Sequence, residues 1–189
     1  MKLRIISGEL KGRYINILDA AEFRPTKERV RESVAEIAKR RFAGAVAADI
    51  CAGTGAFGFE MLSRGAVSVD FVDADKRAVA KISENALALG VDGRVRAIRD
   101  DVCRYIDSCA GAYDVIFYDP PYDDAELQAL VPKILLLLKE DGLLIYERRR
   151  RPHEKKHADK AGLENLIDTR IYADTVIEFY TRGDLESSP

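Results

Sequence analysis

Short apolar runs alternate with helix-patterned segments through the middle of this 189-residue chain. The runs that are typical of buried strands are 46–50, 68–72, 95–99, 113–118 and 142–146. Helical patterns follow the first four of them, at 57–63, 76–89, from 102 onward and 125–138. Strands that alternate with helices predict an α/β fold with a mostly parallel, doubly wound sheet and right-handed crossovers.

Both ends of the chain depart from this alternation. Runs 165–172 and 175–181 are too closely spaced for a crossover, so they predict a C-terminal antiparallel hairpin, which brings the sheet to seven strands. Before the alternation, runs 3–6 and 13–17 predict two short strands. Segment 26–41 predicts an amphipathic helix whose inner face is formed by Val30, Val34, Ile37 and Ala38. We therefore expect a small N-terminal extension (1–42), a sheet domain (43–182) and a flexible tail (183–189).

The strand at 46–50 leads into a turn that contains Gly53, Gly55 and Gly58 and opens a helix. Such a turn lets a ligand approach the backbone, and this glycine spacing also fits a nicotinamide or flavin dinucleotide. Asp49 favours a cationic ligand such as S-adenosyl-L-methionine, with its sulfonium and ammonium groups, over a diphosphate. The dinucleotide alternative stays open. The predicted cofactor contacts at this turn are Asp49, Ala52, Gly53, Thr54, Gly55 and Phe57.

Two further carboxylates follow neighbouring strands at the edge where doubly wound sheets bind ligands. Asp73 is predicted to accept both ribose hydroxyls of an adenosine, and Asp75 is the alternative, although we expect Asp75 to cap the next helix. Asp101 is predicted to accept from the adenine amino group, with Asp100 as its competitor. The predicted contacts at these strand ends are Asp73, Ala74, Asp101 and Val102.

The tetrapeptide Asp119-Pro120-Pro121-Tyr122 directly follows the strand at 113–118. An exocyclic amine on a nucleobase is a poor nucleophile until acceptors draw its hydrogens out of the ring plane. The Asp119 carboxylate and a carbonyl that precedes a proline can serve as those acceptors, because prolines fix φ and offer no competing N–H. Tyr122 offers a ring on which a base can stack. The pattern predicts the catalytic loop of an amino-group methyltransferase; a plain proline-rich turn is the alternative.

Basic residues are concentrated in the N-terminal extension, although the net charge of the chain is −2. Residues 1–42 contain eleven Lys or Arg against six Asp or Glu. This excess favours a contact with phosphates, and a solvated charged face is the alternative. The predicted RNA contacts are Arg24, Thr26, Lys27, Arg29 and Arg31. The run at 148–151 predicts a basic loop that binds RNA or a disordered crossing.

Several classes of protein do not fit this sequence. No apolar run approaches the ~20 residues that a transmembrane helix needs, and no signal peptide is evident at the N-terminus. Three cysteines, an odd number without metal-ligand spacing, fit a reduced compartment. With only two histidines, the sequence offers few of the nitrogen ligands that a zinc site uses. We expect a cytoplasmic protein that contains no metal.

Together these features resemble the bacterial 16S ribosomal RNA (guanine-N2)-methyltransferase family, the RsmD family. The resemblance covers nearly the whole chain, and the segments that carry it are 4–8, 11–13, 24–26, 29–33, 49–58, 62–66, 119–122 and 172–180. It implies a class I, Rossmann-like methyltransferase fold, a monomer, and methylation at N2 of a 16S ribosomal RNA guanine within an assembled small subunit. It also implies that Asp119 and Tyr122 contact the base, and that Asp73 and Asp101 contact the cofactor.

Other amino-group methyltransferases, acting on DNA, on another RNA or on a protein glutamine, remain alternatives, as does a non-catalytic nucleotide-binding module. The chain also departs from the family pattern at two positions. Ala173 stands where the family usually has glycine, and Ala35 stands where it usually has an aromatic residue. Ala173 is expected to alter the hairpin turn, because a positive φ is costly for alanine.

Overall fold

The computed structural model describes residues 1–18, 28–151 and 165–182. The N-terminal elements are β1 (Lys2–Arg4), β2 (Tyr14–Asn16), α1 (Glu28–Ile37) and α2 (Lys39–Phe42). The central elements are β3 (Val46–Ile50), α3 (Ala56–Ser63), β4 (Ser68–Asp73), α4 (Lys76–Leu89), β5 (Val95–Arg99), α5 (Val102–Ser108) and β6 (Tyr113–Tyr118). The last elements are α6 (Ala125–Gln128), α7 (Val131–Leu135), β7 (Leu138–Arg149), β8 (Leu166–Tyr172) and β9 (Thr175–Thr181).

Strands β3 to β9 form one sheet of seven strands in the order β5-β4-β3-β6-β7-β9-β8. The first five strands in this order are parallel, and β9 runs antiparallel to both β7 and β8. The predicted doubly wound sheet with its closing hairpin is therefore confirmed. Strand order reverses at β3, which has β4 on one side and β6 on the other. Such a reversal opens a crevice at the carboxyl ends of these strands.

The sheet has a hydrophobic cluster on each face, because side chains of a strand alternate between faces. On β6, Phe117 belongs to the first cluster, which includes residues of α1, α3 and α4. Its neighbour Tyr118 belongs to the second cluster, which includes residues of α5 and α7. Ile5 and Ile15 of the N-terminal extension are buried in the first cluster. The extension therefore shares the core of the sheet domain.

The N-terminal extension is fastened to the end of α3. The backbone N–H of Glu9 donates to the carbonyl oxygen of Ser63 at 2.7 Å, and that of Leu10 donates to Ser63 Oγ at 2.9 Å. Gly8, with a φ of 85°, makes this approach possible, because a Cβ at Gly8 would lie 1.7 Å from the Ser63 carbonyl oxygen. No larger residue fits at position 8 without moving the extension away from α3.

The helix predicted at 26–41 is wrong in extent and partly in orientation. Its first two positions lie outside the described residues, and the rest divides at Ala38 into α1 and α2. Val30, Val34 and Ala38 are buried as predicted, whereas Ile37 is 43% exposed. Arg31 takes an inward position instead, because a buried carboxylate, Glu60, lies beside it.

Two predictions fail in the second half of the chain. The single helix expected at 125–138 is two short helices, α6 and α7, and Pro132 lies in the first turn of α7, where its missing N–H is tolerated. The strand expected at 142–146 is longer, since β7 pairs with β9 from Leu143 to Arg149. Arg148 and Arg149 therefore belong to a strand and not to a basic loop, and Arg148 is buried against Glu178 of β9.

Ala173 occupies the β8–β9 turn with a φ of 55°, in the left-handed region that favours glycine. Ala173→Gly is therefore expected to raise the free energy of unfolding by about 0.5–1 kcal/mol, since it removes the steric cost at Cβ. Urea denaturation measures the change. As a control, Ala80→Gly on the exposed face of α4 should lower the same free energy by about 1 kcal/mol. A destabilised Ala173→Gly variant would contradict the argument.

None of the helices within the three described segments is long and apolar enough to cross a bilayer. Across the same segments, no group of three or more His, Cys, Asp or Glu side chains is placed to hold a metal ion.

Candidate functional site

A cavity of about 530 Å³ opens where β3, β4, β5 and β6 end, at the reversal of strand order. Its volume lies in the range of small-molecule sites, roughly 300–1,000 Å³. Most residues singled out from the sequence meet here: Asp49, Ala52, Gly53, Thr54, Phe57, Asp73, Ala74, Asp101, Val102, Asp119, Pro120, Pro121 and Tyr122 all line it. Gly55 lies behind the wall, where it starts α3 with a φ of 72°.

Two carboxylates hold the glycine-rich turn in place. Asp73 Oδ2 accepts from the backbone N–H of Gly53 at 2.7 Å, and Asp49 Oδ2 accepts from that of Gly58 at 2.8 Å. The turn is strained at Cys51, whose φ of 61° is unusual for a residue other than glycine. Cys51 lines the cavity and also packs against the second hydrophobic cluster. Burial, with smaller effects of nearby aspartates, raises the pKa of its thiol, so the sulfur stays protonated.

Asp49 is almost completely buried, with 2% of its surface exposed. Desolvation raises the pKa of this carboxyl to about 8, and the nearby charge of Asp73 acts in the same direction. The hydrogen bond from the Gly58 N–H opposes the shift but does not cancel it. The cavity therefore contains an acid that changes charge near neutral pH and that a cationic ligand would favour in its ionised form.

Asp73 and Asp75 have different structural roles: the first lines the cavity and the second caps a helix. Asp73 lines the cavity, and its Oδ1 accepts from the backbone N–H of Asp75 at 2.8 Å. Asp75 caps α4 by accepting from the backbone N–H of Arg77 at 2.7 Å. The expectation that Asp75 is a helix cap is confirmed.

Asp101 is both a helix cap and a residue of the cavity lining. It caps α5 by accepting from the backbone N–H of Arg104 at 3.2 Å, and it also lines the cavity. Asp100 does not line the cavity; its side chain accepts from Arg104 and from the backbone N–H of Asp101.

The proline-containing loop lines the cavity together with the glycine-rich turn. The backbone N–H of Asp119 donates to the carbonyl oxygen of Ile50 at 3.3 Å, which ties the loop to the end of β3. Asp119 and Tyr122 are half-buried, Pro120 is buried and Pro121 is exposed. The rings of Phe57 and Phe117, which also line the cavity, stack with centroids 3.9 Å apart. The cavity lining thus combines apolar aromatic rings with several carboxylates.

Tyr122 is held by a cluster of side chains from β7 and β9. Its hydroxyl donates to Glu147 Oε1 at 2.9 Å and lies 3.3 Å from Thr175 Oγ1. The guanidinium of Arg149 lies 5.5 Å from the centre of the Tyr122 ring. Burial, followed by the charge of Glu147, raises the pKa of the Tyr122 hydroxyl. Sequence reasoning missed Glu147, Arg149 and Thr175 as residues that line the cavity.

Of the five residues predicted to contact RNA, the structure describes Arg29 and Arg31, and these two differ in exposure. Arg24, Thr26 and Lys27 lie outside the described residues, and Arg29 is exposed on α1. Arg31, in contrast, is 1% exposed and lines the cavity, which is not the open surface expected for a phosphate contact.

The guanidinium of Arg31 is only partly satisfied. Nη2 donates to the carbonyl oxygen of Arg4 at 2.9 Å, and Nε lies 3.7 Å from Glu60 Oε1, whereas Nη1 has no hydrogen-bond partner among the residues that the structure describes. Burial lowers the pKa of this side chain, and the charge of Glu60 opposes that shift.

A family model described as "Conserved hypothetical protein 95", the RsmD family, matches residues 3–181. The chain belongs to this family. Two relatives of this RsmD-family chain show how far the similarity extends. YlbH of Bacillus subtilis, provisionally named an rRNA methyltransferase, is 34% identical over 187 residues, which cover 95% of the chain and 99% of YlbH. Ribosomal RNA small subunit methyltransferase D of Escherichia coli is 28% identical over 146 residues, or 77% of the chain and 71% of that enzyme.

Solved structures share the RsmD-family fold of this chain. The protein yhhF of Escherichia coli, provisionally named a methyltransferase, superimposes with a TM-score of 0.81 at 23% identity, over 97% of the chain and 99% of yhhF. An RNA methyltransferase from Salinibacter ruber, solved in complex with S-adenosyl-L-homocysteine, gives a TM-score of 0.64 at 16% identity, over 87% and 96% of the two chains. The fold is that of the class I methyltransferases.

Proposed function

We propose that this chain transfers the methyl group of S-adenosyl-L-methionine to the exocyclic N2 amine of a guanine in small-subunit ribosomal RNA. One observation carries the proposal: the acid-bearing glycine-rich turn and the loop Asp119 to Tyr122 line the same cavity. Membership of the RsmD family and the names of the relatives support methylation of ribosomal RNA.

The residues of the cavity fit the proposed cofactor group by group. Asp49 would favour its cationic part, Asp73 its ribose hydroxyls and Asp101 its adenine amino group, as the sequence predicts. Nη1 of Arg31, which lacks a partner within the described segments, adds a buried donor that an amino-acid carboxylate would satisfy. We therefore assign Arg31 to the carboxylate of the cofactor instead of to RNA. Once bound, the cofactor supplies an electrophilic methyl group.

The loop would prepare the amine for attack. The Asp119 carboxylate and the Pro120 carbonyl would each accept one hydrogen of the amine, so that the nitrogen lone pair leaves conjugation with the ring. Tyr122 would stack on the base, and the hydrogen bond to Glu147 would hold its ring in place. Alignment and stabilisation of the developing positive charge supply most of the acceleration. Asp119 need not be a strong base, because the methylated amine is acidic and loses its proton late.

The N-terminal extension supplies the proposed contact with RNA phosphates. Its assigned residues are Arg24, Thr26, Lys27 and Arg29. The substrate that we propose is the assembled small subunit, and the enzyme would act in the cytoplasm as a metal-free monomer.

Side-by-side methyl-transfer assays with labelled cofactor test the function. The acceptors are assembled small subunits, naked ribosomal RNA, DNA and total protein, each from cells that lack the protein. Label is expected in the small-subunit RNA, and mass spectrometry should locate it as N2-methylguanosine. Label in DNA, in another base or in a protein glutamine would overturn the assignment.

Binding of the cofactor is expected to release a proton at pH 7. With a pKa of about 8, Asp49 is mostly protonated in the free protein, and a cationic ligand lowers this pKa because it stabilises the carboxylate. The release should approach one proton per complex at pH 7 and disappear above pH 9, where Asp49 is already ionised. Calorimetry in two buffers of different ionisation enthalpy measures it, and Asp49→Asn should abolish the difference between buffers. Equal heats in both buffers for the unaltered protein would contradict the role of Asp49.

A further inference from the structure

The proposed chemistry leaves one hydrogen of guanine without an acceptor. The edge that carries N2 has three hydrogens, two on N2 and one on the adjacent N1. The Asp119 carboxylate and the Pro120 carbonyl account for the two on N2. A buried N1–H without a partner would cost about 1–3 kcal/mol. A site that selects guanine therefore needs a third acceptor close to the first two.

Strand register places a second carboxylate beside Asp119. Tyr118 at the end of β6 pairs with Tyr146 of β7 in the parallel ladder, so Asp119 and Glu147 each follow one member of the last registered pair, on strands about 4.8 Å apart, and both line the cavity. Ile145 belongs to the first cluster and Tyr146 to the second, so alternation puts Glu147 on the side of the first cluster. Asp119 follows Phe117 on that same side.

Glu147 is buried, with 4% of its surface exposed, and yet it lines the cavity. Its Oε1 accepts from the hydroxyl of Tyr122, the residue proposed to stack on the base. A carboxylate offers about four acceptor positions, so it can accept from more than one donor at the same time. The carboxylate is thus connected by a hydrogen bond to the loop that presents the amine.

The other carboxylates that line the cavity are less suited to this task. Asp49 and Asp73 bind the backbone of the glycine-rich turn, and Asp101 caps α5. The side chain of Asp123 is 91% exposed and pairs with Arg149 at 3.6 Å. Among the lining residues that the structure describes, Glu147 alone joins a buried carboxylate to the loop side of the cavity.

We propose that the Glu147 carboxylate identifies the target base as guanine by accepting its N1–H hydrogen. This inference rests on the proposed function, namely transfer to N2 of guanine. Adenine has a lone pair at N1, which the buried carboxylate would repel. Rejection of bases that lack the N1 hydrogen would therefore come from an unfavourable contact as well as from a lost hydrogen bond. Glu147 is assigned a recognition role; the acceptors on the reacting amine remain Asp119 and Pro120.

The test compares two bases that both carry the N2 amine. Small subunits are reconstituted with ribosomal RNA joined by splinted ligation, in which the mapped target is guanosine or 2-aminopurine; the latter lacks the N1 hydrogen. Initial rates of methyl transfer to both are measured for the unaltered enzyme, Glu147→Gln, Tyr122→Phe and Asp123→Asn. Binding of adenosylhomocysteine and the melting temperature confirm that each variant is folded.

The unaltered enzyme should prefer guanosine by roughly 10²-fold. Glu147→Gln should reduce this ratio at least tenfold, because the amide can donate to an unprotonated N1. Asp123→Asn, a control at the exposed rim, should keep both rates. Tyr122→Phe should slow both substrates and keep the ratio, which separates recognition by Glu147 from support of Tyr122.

Several outcomes would overturn the inference. One is a ratio below threefold for the unaltered enzyme, which does not depend on any variant folding. Equal losses on both bases in Glu147→Gln would also overturn it, as would the same change of ratio in Tyr122→Phe. If the unaltered enzyme fails to methylate guanosine, the proposed function falls and this inference falls with it. Methylation of guanosine without discrimination removes only the role of Glu147.

Discussion

Replacing Asp119 with alanine is expected to slow methyl transfer by roughly 10²–10³-fold, the usual cost of removing one acceptor or donor that acts on the reacting group. The affinity for adenosylhomocysteine should stay within threefold, because the cofactor contacts that we propose are made by other carboxylates of the cavity, Asp49, Asp73 and Asp101. Single-turnover rates on small subunits and calorimetry with adenosylhomocysteine measure the two quantities separately.

Asp123→Ala is the matched control, since Asp123 also lines the cavity but projects its side chain into solvent. It should change the rate less than threefold. Comparable turnover by Asp119→Ala and the unaltered enzyme would remove the loop from the mechanism. A parallel loss of cofactor binding would instead show that Asp119 supports the fold of the cavity.

Gly58→Ala is expected to weaken cofactor binding at least tenfold and to lower the free energy of unfolding by about 2–3 kcal/mol. A Cβ at this position would lie 2.2 Å from Cε1 of the Phe71 ring and 2.9 Å from Asp49 Oδ2. Phe71 is fully buried in the first cluster, so it has little room to move away. The added methyl group would displace the Phe71 ring, which packs beneath the turn, and the Asp49 carboxylate, which holds the turn in place.

Gly93→Ala is the control for Gly58→Ala, because nothing lies within 4 Å of the added Cβ and the residue is exposed. Calorimetry with adenosylhomocysteine and urea denaturation should find the Gly93 variant close to the unaltered protein. Normal cofactor affinity in Gly58→Ala would mean that the turn tolerates a shift of Asp49, and Asp49 would then lose its assigned role.

Elements defined by local signals could be predicted from the sequence to the residue. The strand at 46–50 is bounded by a glycine-rich turn, and the helix at 76–89 lies between its cap, Asp75, and Gly90 in the left-handed conformation. Elements whose bounds depend on partners far away in the sequence could not be predicted in this way. The part of β7 that extends beyond the predicted strand at its C-terminal end, Glu147 to Arg149, pairs with β9, about 30 residues later, and its basic residues taken alone predict a loop.

The site residues likewise fall into those that local sequence signals identify and those that depend on tertiary contacts. The glycine-rich turn and the proline-containing loop combine residue types that are informative at short range, and their residues line one cavity. Glu147 and Arg31 are ordinary charged residues in the sequence. Only the register of β6 with β7 brings Glu147 next to Asp119, and only the buried Glu60, 29 positions further on, explains why Arg31 turns inward. Their place in the cavity depends on tertiary contacts that no local pattern contains.

Ser63, to which the first ten residues are fastened, ends the same helix that Gly55 begins. An eight-residue helix is about 12 Å long and stiff. The N-terminal extension and the glycine-rich turn therefore lie at opposite ends of α3, and we expect a displacement at one end to be transmitted to the other. A chain truncated to begin at β3 would lose the hydrogen bonds at the Ser63 end of α3, so we expect the first ten residues to help fix the helix that follows the glycine-rich turn.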